Sequence, residues 1–403
     1  MSEKSPPAPA AASEEPRPSL ASIVGEGARG LLVPLLAVFT AVVIGGVVIW
    51  LTGTGPAPSD VKGWPGFLVQ SGLWRPLLAY LGLVQGAFGS RQALSETTVW
   101  ATPYIFAGLA VALAFKGGLF NIGAEGQLAL GALLAAWIGF ALPGIIGPLP
   151  TIVHVPLALL GGALAGAFWG AIPGWLKART GGHEVINTIM MNYLALLLSS
   201  YLLNGPWKDP DPSNVVAQTP PIAPSARLTP IFEGYRLHWG FILALLVAFA
   251  VYWLLWRTTL GFEIRTVGSN PKAARYAGIA VERMIVLTMA LSGLLAGLAG
   301  ANEVVGLNYG HTLSFNIGYG FDAITIALLG KTNPFGVVLA AILFGALRNG
   351  ASRMQFLTQV PIDIISVIQA LILLFVAADA IVRFLYRIRA RGTKLVLTRG
   401  WGG

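Results

Sequence analysis

Long apolar runs separated by short polar stretches dominate the chain. About 20 consecutive apolar residues are needed for a helix to cross a bilayer. On this pattern we predict ten membrane spans, at 31–51, 99–115, 119–141, 152–175, 185–203, 239–256, 284–306, 315–330, 333–349 and 361–382. The region 52–98 is apolar but interrupted by Gly and Pro, and it contains Trp64, Trp74 and Tyr80. Because Trp and Tyr prefer the headgroup level, we expect short interfacial helices there.

One polar stretch, 118–127, stands out because it lies within this apolar pattern. It places Asn121, Glu125 and Gln127 between two apolar runs, among several glycines. Amides and carboxylates are costly to bury without partners, and glycine lets the backbone bend. The stretch therefore predicts a broken membrane helix that lines a polar pathway. The alternative is an unbroken helix whose polar groups are bonded to neighbouring helices.

A second copy of the motif occurs later in the chain. Residues 120–123 and 315–318 share the tetrapeptide Phe-Asn-Ile-Gly, and the second copy is followed by Gly320 and Asp322. Four identical residues can arise by chance in a chain this rich in Gly. If the two copies have opposite orientations in the membrane, they indicate inverted repeats.

Loop charge predicts the topology, because Lys and Arg collect in cytoplasmic loops. The basic loop 257–283, the basic tail that follows the last span and the pair Lys177 and Arg179 are assigned to the cytoplasm. The connection 205–238 has seven prolines and balanced charge, and is assigned to the outside. Ten spans satisfy these assignments with both termini inside, and they give the two motif copies opposite orientations. Arg348 and Arg353 are exceptions, since they would lie outside.

Composition supports an all-α polytopic membrane protein. The 403 residues are 55% hydrophobic and 11% charged, whereas about a quarter of a soluble domain is charged. The net charge of +9 fits cytoplasmic helix ends better than nucleic-acid binding. The chain has no cysteine, no phosphate-binding loop for ATP, no nucleophile motif and only scattered histidines. We therefore expect neither an enzymatic activity nor a metal site.

The loop 257–283 carries a recognisable helix. Asn270 and Pro271 form a good helix start, and Gly278 would close about two turns over 272–277. The small residues of this helix are suited to a groove in another protein, and the alternative is a solvated connector. The sequence positions that we assign to docking are Gly268, Asn270, Pro271, Ala273, Ala274, Arg275, Gly278 and Ile279.

With these residues, the loop resembles the coupling loop of bacterial ABC importer permeases of the ribose and branched-chain amino acid superfamily. The resemblance covers about 81–383. The stretches 118–127 and 182–193 resemble the nucleoside-uptake permeases of the basic-membrane-protein type, with Met191 where Leu is expected. The resemblance implies transport of nucleosides. One alternative is an ABC importer permease of the same superfamily that carries a pentose. The other is an ion-coupled secondary transporter, which would not need a coupling loop.

The resemblance also implies a division of labour. It implies a second permease subunit, a cytoplasmic ATP-binding cassette protein that binds and hydrolyses ATP, and an extracytoplasmic substrate-binding protein, either a lipoprotein or a periplasmic protein. The chain itself would need no cofactor and would lie in the bacterial inner (plasma) membrane. Its expected parts are a disordered tail (1–20), a first span with interfacial helices (21–98), the permease core (99–385) and a basic tail (386–403).

Ten polar residues are candidates for the substrate pathway. Amides and carboxylates suit ribose hydroxyls and base edges, and a tyrosine can stack on a purine. The candidates are Asn121, Glu125, Gln127, Asn187, Asn192, Tyr193, Asn302, Glu303, Asn316 and Asp322. Asn187 and Asn192 are five residues apart, so they do not share a helical face.

Overall fold

The computed structural model describes residues 20–53, 64–211, 213, 215–313 and 318–387. The predicted tail 1–20 and the basic tail 386–403 fall almost entirely outside these ranges, as does Asn316. Within the described ranges the chain is helical and forms no sheet, apart from isolated bridges in loops. The helices are α1 (Leu20–Thr52), α2 (Gly66–Gln70), α3 (Trp74–Phe88), α4 (Arg91–Lys116), α5 (Ala124–Ile146), α6 (Thr151–Thr180), α7 (Glu184–Asn204), α8 (Gly240–Arg257), α9 (Thr259–Ser269), α10 (Pro271–Tyr276), α11 (Val281–Glu303), α12 (Tyr319–Leu329), α13 (Pro334–Thr358), α14 (Asp363–Ala377) and α15 (Asp379–Leu385).

Ten of these helices correspond to the ten predicted spans. Eight are long and apolar enough to cross a membrane, and the shorter apolar helices α12 and α14 correspond to the other two predictions. The predicted class, an all-α polytopic membrane protein, is confirmed. Before α4, the chain forms the five-residue helix α2 and the longer α3. Close contact joins α3 to α13, since a Cβ on Gly86 would lie 3.0 Å from the Gly350 Cα.

Helices α6 and α11 pack through small residues spaced four apart. Gly162, Gly166 and Gly170 form one such face, and Gly293, Gly297 and Ala301 form the other. A Cβ on Gly166 would lie 2.6 Å from the Gly297 Cα, so the two backbones touch without a layer of side chains between them. Small residues at this spacing let membrane helices approach closely. Helix α5 joins the same contact, because a Cβ on Gly131 would meet the Gly297 backbone.

The predicted breaks are present. Residues 117–123 separate α4 from α5, and Gly118 there has φ +68°. Helix α11 ends in a π-helical turn, Val304–Asn308, and α12 begins only at Tyr319.

The two motif copies precede helices that run in opposite directions. Helices α5 and α12 begin beside each other, as described below. The α5 segment reaches the loop 205–239, where Ala223 N donates to Gly139 O at 2.9 Å. Past the end of α12, the Phe335 ring lies 5.1 Å from the Tyr252 ring, in the half of α8 that leads away from that loop. The inverted orientation of these two helices agrees with the loop-charge topology, while a repeat of the entire halves stays a prediction.

One ion pair and one cation–π contact bear on the predicted topology. Arg236 pairs with Glu96 at 3.2 Å, which places the loop 205–239 beside the first residues of α4, as predicted. Arg348, an exception to the charge rule, lies 5.7 Å from the Trp100 ring. Arg348 is therefore a charge with interaction partners inside the helix bundle. The position of such a charge is set by those partners, so it does not count in the loop-charge rule.

Candidate translocation site

One carboxylate joins the first turns of α5 and α12. Glu125, on α5, is 3% exposed. Its two oxygens accept hydrogen bonds from Gly318 N at 3.2 Å and from Gly320 N at 2.6 Å. The first N–H groups of a helix have no partner within it, so this carboxylate caps α12 from another helix. Gly320 is required here, because a Cβ on it would lie 2.6 Å from the Glu125 Cα.

An amide pair fixes the break between α4 and α5. Asn121 Nδ2 donates to Gln127 Oε1 at 2.8 Å, and Gln127 Nε2 donates to Asn121 Oδ1 at 3.2 Å. Asn121 Nδ2 also donates to Ser292 Oγ on α11, at 2.8 Å. The serine hydroxyl in turn donates to Ala110 O on α4, at 2.7 Å. The network therefore ties α4, the break, α5 and α11 together.

Helix α7 holds the same break through Asn192. Its Oδ1 accepts from Gly126 N at 2.8 Å, and its Nδ2 donates to Ile122 O at 3.0 Å. Asn121, Glu125, Gln127 and Asn192 are all buried and bonded to neighbouring segments. In this conformation they hold the broken helices in place, and direct contact with substrate stays a prediction.

Asp322 lies in a cluster that the sequence analysis only partly identified. Tyr104 donates from its hydroxyl to Asp322 Oδ2 at 2.8 Å. The Tyr104 ring meets the Tyr319 ring edge-on at 4.9 Å. Arg348 interacts electrostatically with the same carboxyl group. Tyr104, Tyr319 and Arg348 were not among the predicted site residues, although a polar aromatic tip or a cation inside a span is a signal for such a role.

The last turn of α11 contributes a second polar cluster. Asn302 and Glu303 are buried there, directly before the π-helical turn. Glu303 Oε2 accepts a long hydrogen bond from Asn308 Nδ2 at 3.4 Å. His238, from the end of the loop 205–239, is also buried beside them, against Gly306. Burial, and secondarily the charge of Arg236, lowers the pKa of His238 to about 4.

The remaining predicted pathway residues do not join these clusters. Tyr193 is 60% exposed on the outside of α7, because its neighbour Asn192 takes the inward position. Tyr193 therefore does not join the buried clusters, and its place in the substrate pathway stays a prediction. Asn187 is half-buried near the start of α7, next to Gly182. Asn316 lies outside the described residues.

The predicted docking helix is present as α10. Asn270 Oδ1 caps it by accepting from Ala273 N at 3.1 Å, Pro271 is its first residue, and Gly278 beyond its end has φ +81°. Ala273 is exposed, whereas Ala274 is fully buried. The expectation that Ala274 belongs to the exposed docking face is therefore wrong.

The outward face of α10 carries further residues. Tyr276, which the sequence analysis did not select, is 95% exposed there. Arg275 forms an ion pair with Glu282 at the start of α11, so the helix is tied to its neighbour. Ile279 N bonds back to Ala274 O at 3.0 Å, which closes the helix end.

Helix α9 connects this surface to the broken helix. Near the end of α9, Gly268 packs directly on the backbone of Lys116, Gly117 and Gly118. A Cβ on Gly268 would lie 2.7 Å from both Gly117 C and Gly118 N. The exposed helix α10 and the break before Asn121 are therefore joined by a backbone-to-backbone contact.

A membrane bundle with interrupted helices, buried polar clusters and an exposed helix tied to a helix break is typical of the membrane-spanning subunit of a transporter. The chain belongs to the family described as "branched-chain amino acid transport system / permease component", whose model matches residues 93–377.

Three relatives cover most of the chain. It is 41% identical to the guanosine ABC transporter permease protein NupP of Bacillus subtilis, over 88% of this chain and 95% of the relative. It is 36% identical to the glucose ABC transporter permease protein TsgB13 of Haloferax volcanii, over 85% and 86% of the two chains. It is 33% identical to the nucleoside ABC transporter permease protein NupB of Lactococcus lactis, over 88% and 92%. The same two bacteria have second permeases, NupQ and NupC, that also match this chain. No solved structure matches.

Proposed function

We propose that the chain forms the translocation pathway for nucleosides in an ATP-binding cassette importer. The 41% identity to a guanosine permease over nearly the whole of both chains carries this proposal. The buried clusters support it chemically, since amides, carboxylates and tyrosines supply hydrogen-bonding groups that suit a sugar and a base.

A sugar permease is the second candidate. The 36% identity to a glucose permease favours it, and the carboxylates Glu303 and Asp322 would serve sugar hydroxyls equally well. A pentose would meet the same groups as the ribose of a nucleoside.

The experiment that separates these candidates is uptake in cells with and without the gene. Labelled guanosine, adenosine, uridine, ribose and glucose are compared as initial rates, with an empty vector and a complemented strain. Loss of nucleoside uptake alone supports the first proposal. Loss of ribose or glucose uptake alone would refute it and support the second candidate.

The proposal includes three partners and a location. A second permease of the family would complete the pathway, a cytoplasmic subunit would bind and hydrolyse ATP, and an extracytoplasmic protein would deliver substrate. The docking surface for the ATPase is the exposed face of α10 with Ala273, Tyr276 and Ala277. The surface for the binding protein is the loop 205–239 with the region before α4. The protein would lie in the inner membrane with both termini in the cytoplasm.

The orientation can be tested directly because the chain has no cysteine. Ser213→Cys places one thiol in the loop 205–239, and Lys272→Cys places one on α10. A membrane-impermeant maleimide added to intact cells should label the first variant and not the second. The opposite pattern would reverse the proposed topology.

A further inference from the structure

The last turn of α11 contains a buried amide without a hydrogen-bond partner. Asn302 is fully buried, and neither its Nδ2 nor its Oδ1 is bonded to any group in the described part of the chain. Its Oδ1 lies against the backbone of Gly240, at the start of α8. Buried amides are nearly always bonded, and leaving one unpaired costs stability.

The contrast with the other buried amides is informative. Asn121, Gln127 and Asn192 each form hydrogen bonds from their amide groups to other segments. Those side chains have a structural role that accounts for their presence. Gln369 on α14 also has an unbonded amide nitrogen, but Asn302 leaves both ends of its amide unused.

Two further polar groups surround this amide. His238 is 2% exposed, and its Nδ1 accepts from Gly240 N at 3.1 Å, which leaves the proton of the neutral ring on Nε2. A Cβ on Gly240 would lie 2.6 Å from that Nδ1, beside Asn302. Glu303 follows Asn302, and within the described ranges its carboxyl group accepts the long bond from Asn308 alone. The cluster thus offers an amide, an imidazole N–H and a carboxylate.

The backbone at this place is also unusual. The helix widens into the π-helical turn Val304–Asn308 immediately after Glu303. Such turns are rare and are frequently found at functional sites. The turn packs against the loop 205–239, because Leu228 N donates to Val305 O at 2.8 Å. The cluster therefore lies at the end of the bundle that this loop covers.

We propose that Asn302, with Glu303 and His238, forms a recognition site for an uncharged ligand that presents a neighbouring donor and acceptor, as the edge of a nucleobase does. This inference rests on the proposed nucleoside transport and deepens it. An amide satisfies a donor and an acceptor at once, and the Glu303 carboxylate accepts from an exocyclic amine or a hydroxyl. Because Asn302 and Glu303 are buried, a charged group such as a phosphate is costly to bring there, so the site favours nucleosides over nucleotides.

The test compares two nucleosides in three forms of the full importer. Guanosine has exocyclic donor and acceptor groups, and purine riboside has none. Asn302→Leu keeps the shape of the side chain and removes its polarity, and Asn302→Ala serves where the leucine does not fold. Asn204→Leu is the control, since Asn204 bonds only to Ser200 within its own helix. Initial uptake rates at substrate concentrations well below KM, and the thermal midpoint of the purified protein, are measured for each.

The proposal expects guanosine uptake by Asn302→Leu to fall about tenfold, the equivalent of one good hydrogen bond, while purine riboside uptake changes less than twofold. The thermal midpoint should stay or rise, because an unpaired buried amide has been removed. Equal losses for both nucleosides with a lower midpoint would show a structural role and overturn the inference. Unchanged guanosine uptake would also overturn it. Failure of the unsubstituted importer to carry any nucleoside would instead refute the proposed function itself.

Discussion

The contact between Gly268 and the helix break predicts that adding one methyl group will uncouple transport. In Gly268→Ala, the new Cβ would lie 2.7 Å from Gly117 C and from Gly118 N. Both are backbone atoms, so no side chain can rotate away. Either α9 or the break must move.

The magnitude follows from the cost of overpacking. Forcing a methyl group into a packed site typically costs about 1–3 kcal/mol. If the strain is relieved by separating α9 from the break, about 2 kcal/mol would shift the balance between two pathway conformations by roughly thirtyfold. Uptake should fall by that order, because α9, which leads into α10, would no longer be held against the segment before Asn121.

The assay measures uptake, ATP hydrolysis and assembly on one preparation. The complex of Gly268→Ala should assemble and hydrolyse ATP, yet transport little substrate. Gly144→Ala, within α5, is the matched control, since a Cβ there would meet nothing within 4 Å. Normal uptake by Gly268→Ala would refute the reasoning. A parallel loss of assembly, hydrolysis and uptake would show that the contact matters only for folding.

Three further perturbations have defined outcomes. Ala273→Glu adds a charge to the exposed face of α10 and should abolish uptake while the protein remains folded. Thr180→Glu, at the exposed end of α6, should not, and retained uptake by Ala273→Glu would contradict the docking proposal. Glu125→Ala removes both hydrogen bonds to α12 and should lower the free energy of unfolding by about 3 kcal/mol. Glu125→Gln keeps one acceptor oxygen and should lower it by less. Equal denaturation midpoints for the unsubstituted protein and both variants would disprove the capping role. Burial lowers the pKa of His311 to about 4. As the pH falls, the unfolded protein therefore protonates this histidine before the folded protein does. The free energy of unfolding should then decline between about pH 6.5 and 4, by at most about 1.4 kcal/mol per pH unit for this group. His311→Gln should reduce that slope in thermal unfolding, with the exposed His183→Gln as control, and an unchanged slope would exclude His311 as the cause.

The helical pattern of the chain could be predicted from the sequence because membrane spans follow local rules. Length and apolarity are sufficient to identify a span, and each of the ten predicted spans has its helix. The short helix α10 was equally predictable, since Asn270, Pro271 and Gly278 set its ends by local geometry. Which side of α10 is buried could not be predicted. The orientation of a two-turn helix about its own axis is fixed by its contacts with α9 and α11, and so short a helix has no periodic pattern that reveals it. Ala274 was for that reason placed on the wrong face.

The sequence was sufficient to select polar residues as site candidates, but not to tell which of them are bonded to other segments of the chain. Glu125 was identified as expensive to bury, yet its partners Gly318 and Gly320 lie far along the chain and are backbone groups. Asn192 and Asn302 are the same residue type in similar apolar surroundings, and only the fold shows that one is bonded and the other is not. Tyr193 is polar-tipped like Tyr104, but the packing of α7 turns it outward.

The glycine-lined contact between α6 and α11 restricts how the protein can change shape. Its small residues recur once per helical turn, so a partial slide of one helix along the other would bring larger side chains against a touching backbone. Only a full step of about 6 Å, four residues at a rise of about 1.5 Å each, restores the match. Gradual shear between these helices is therefore blocked, and α5, α6 and α11 must rock as one body.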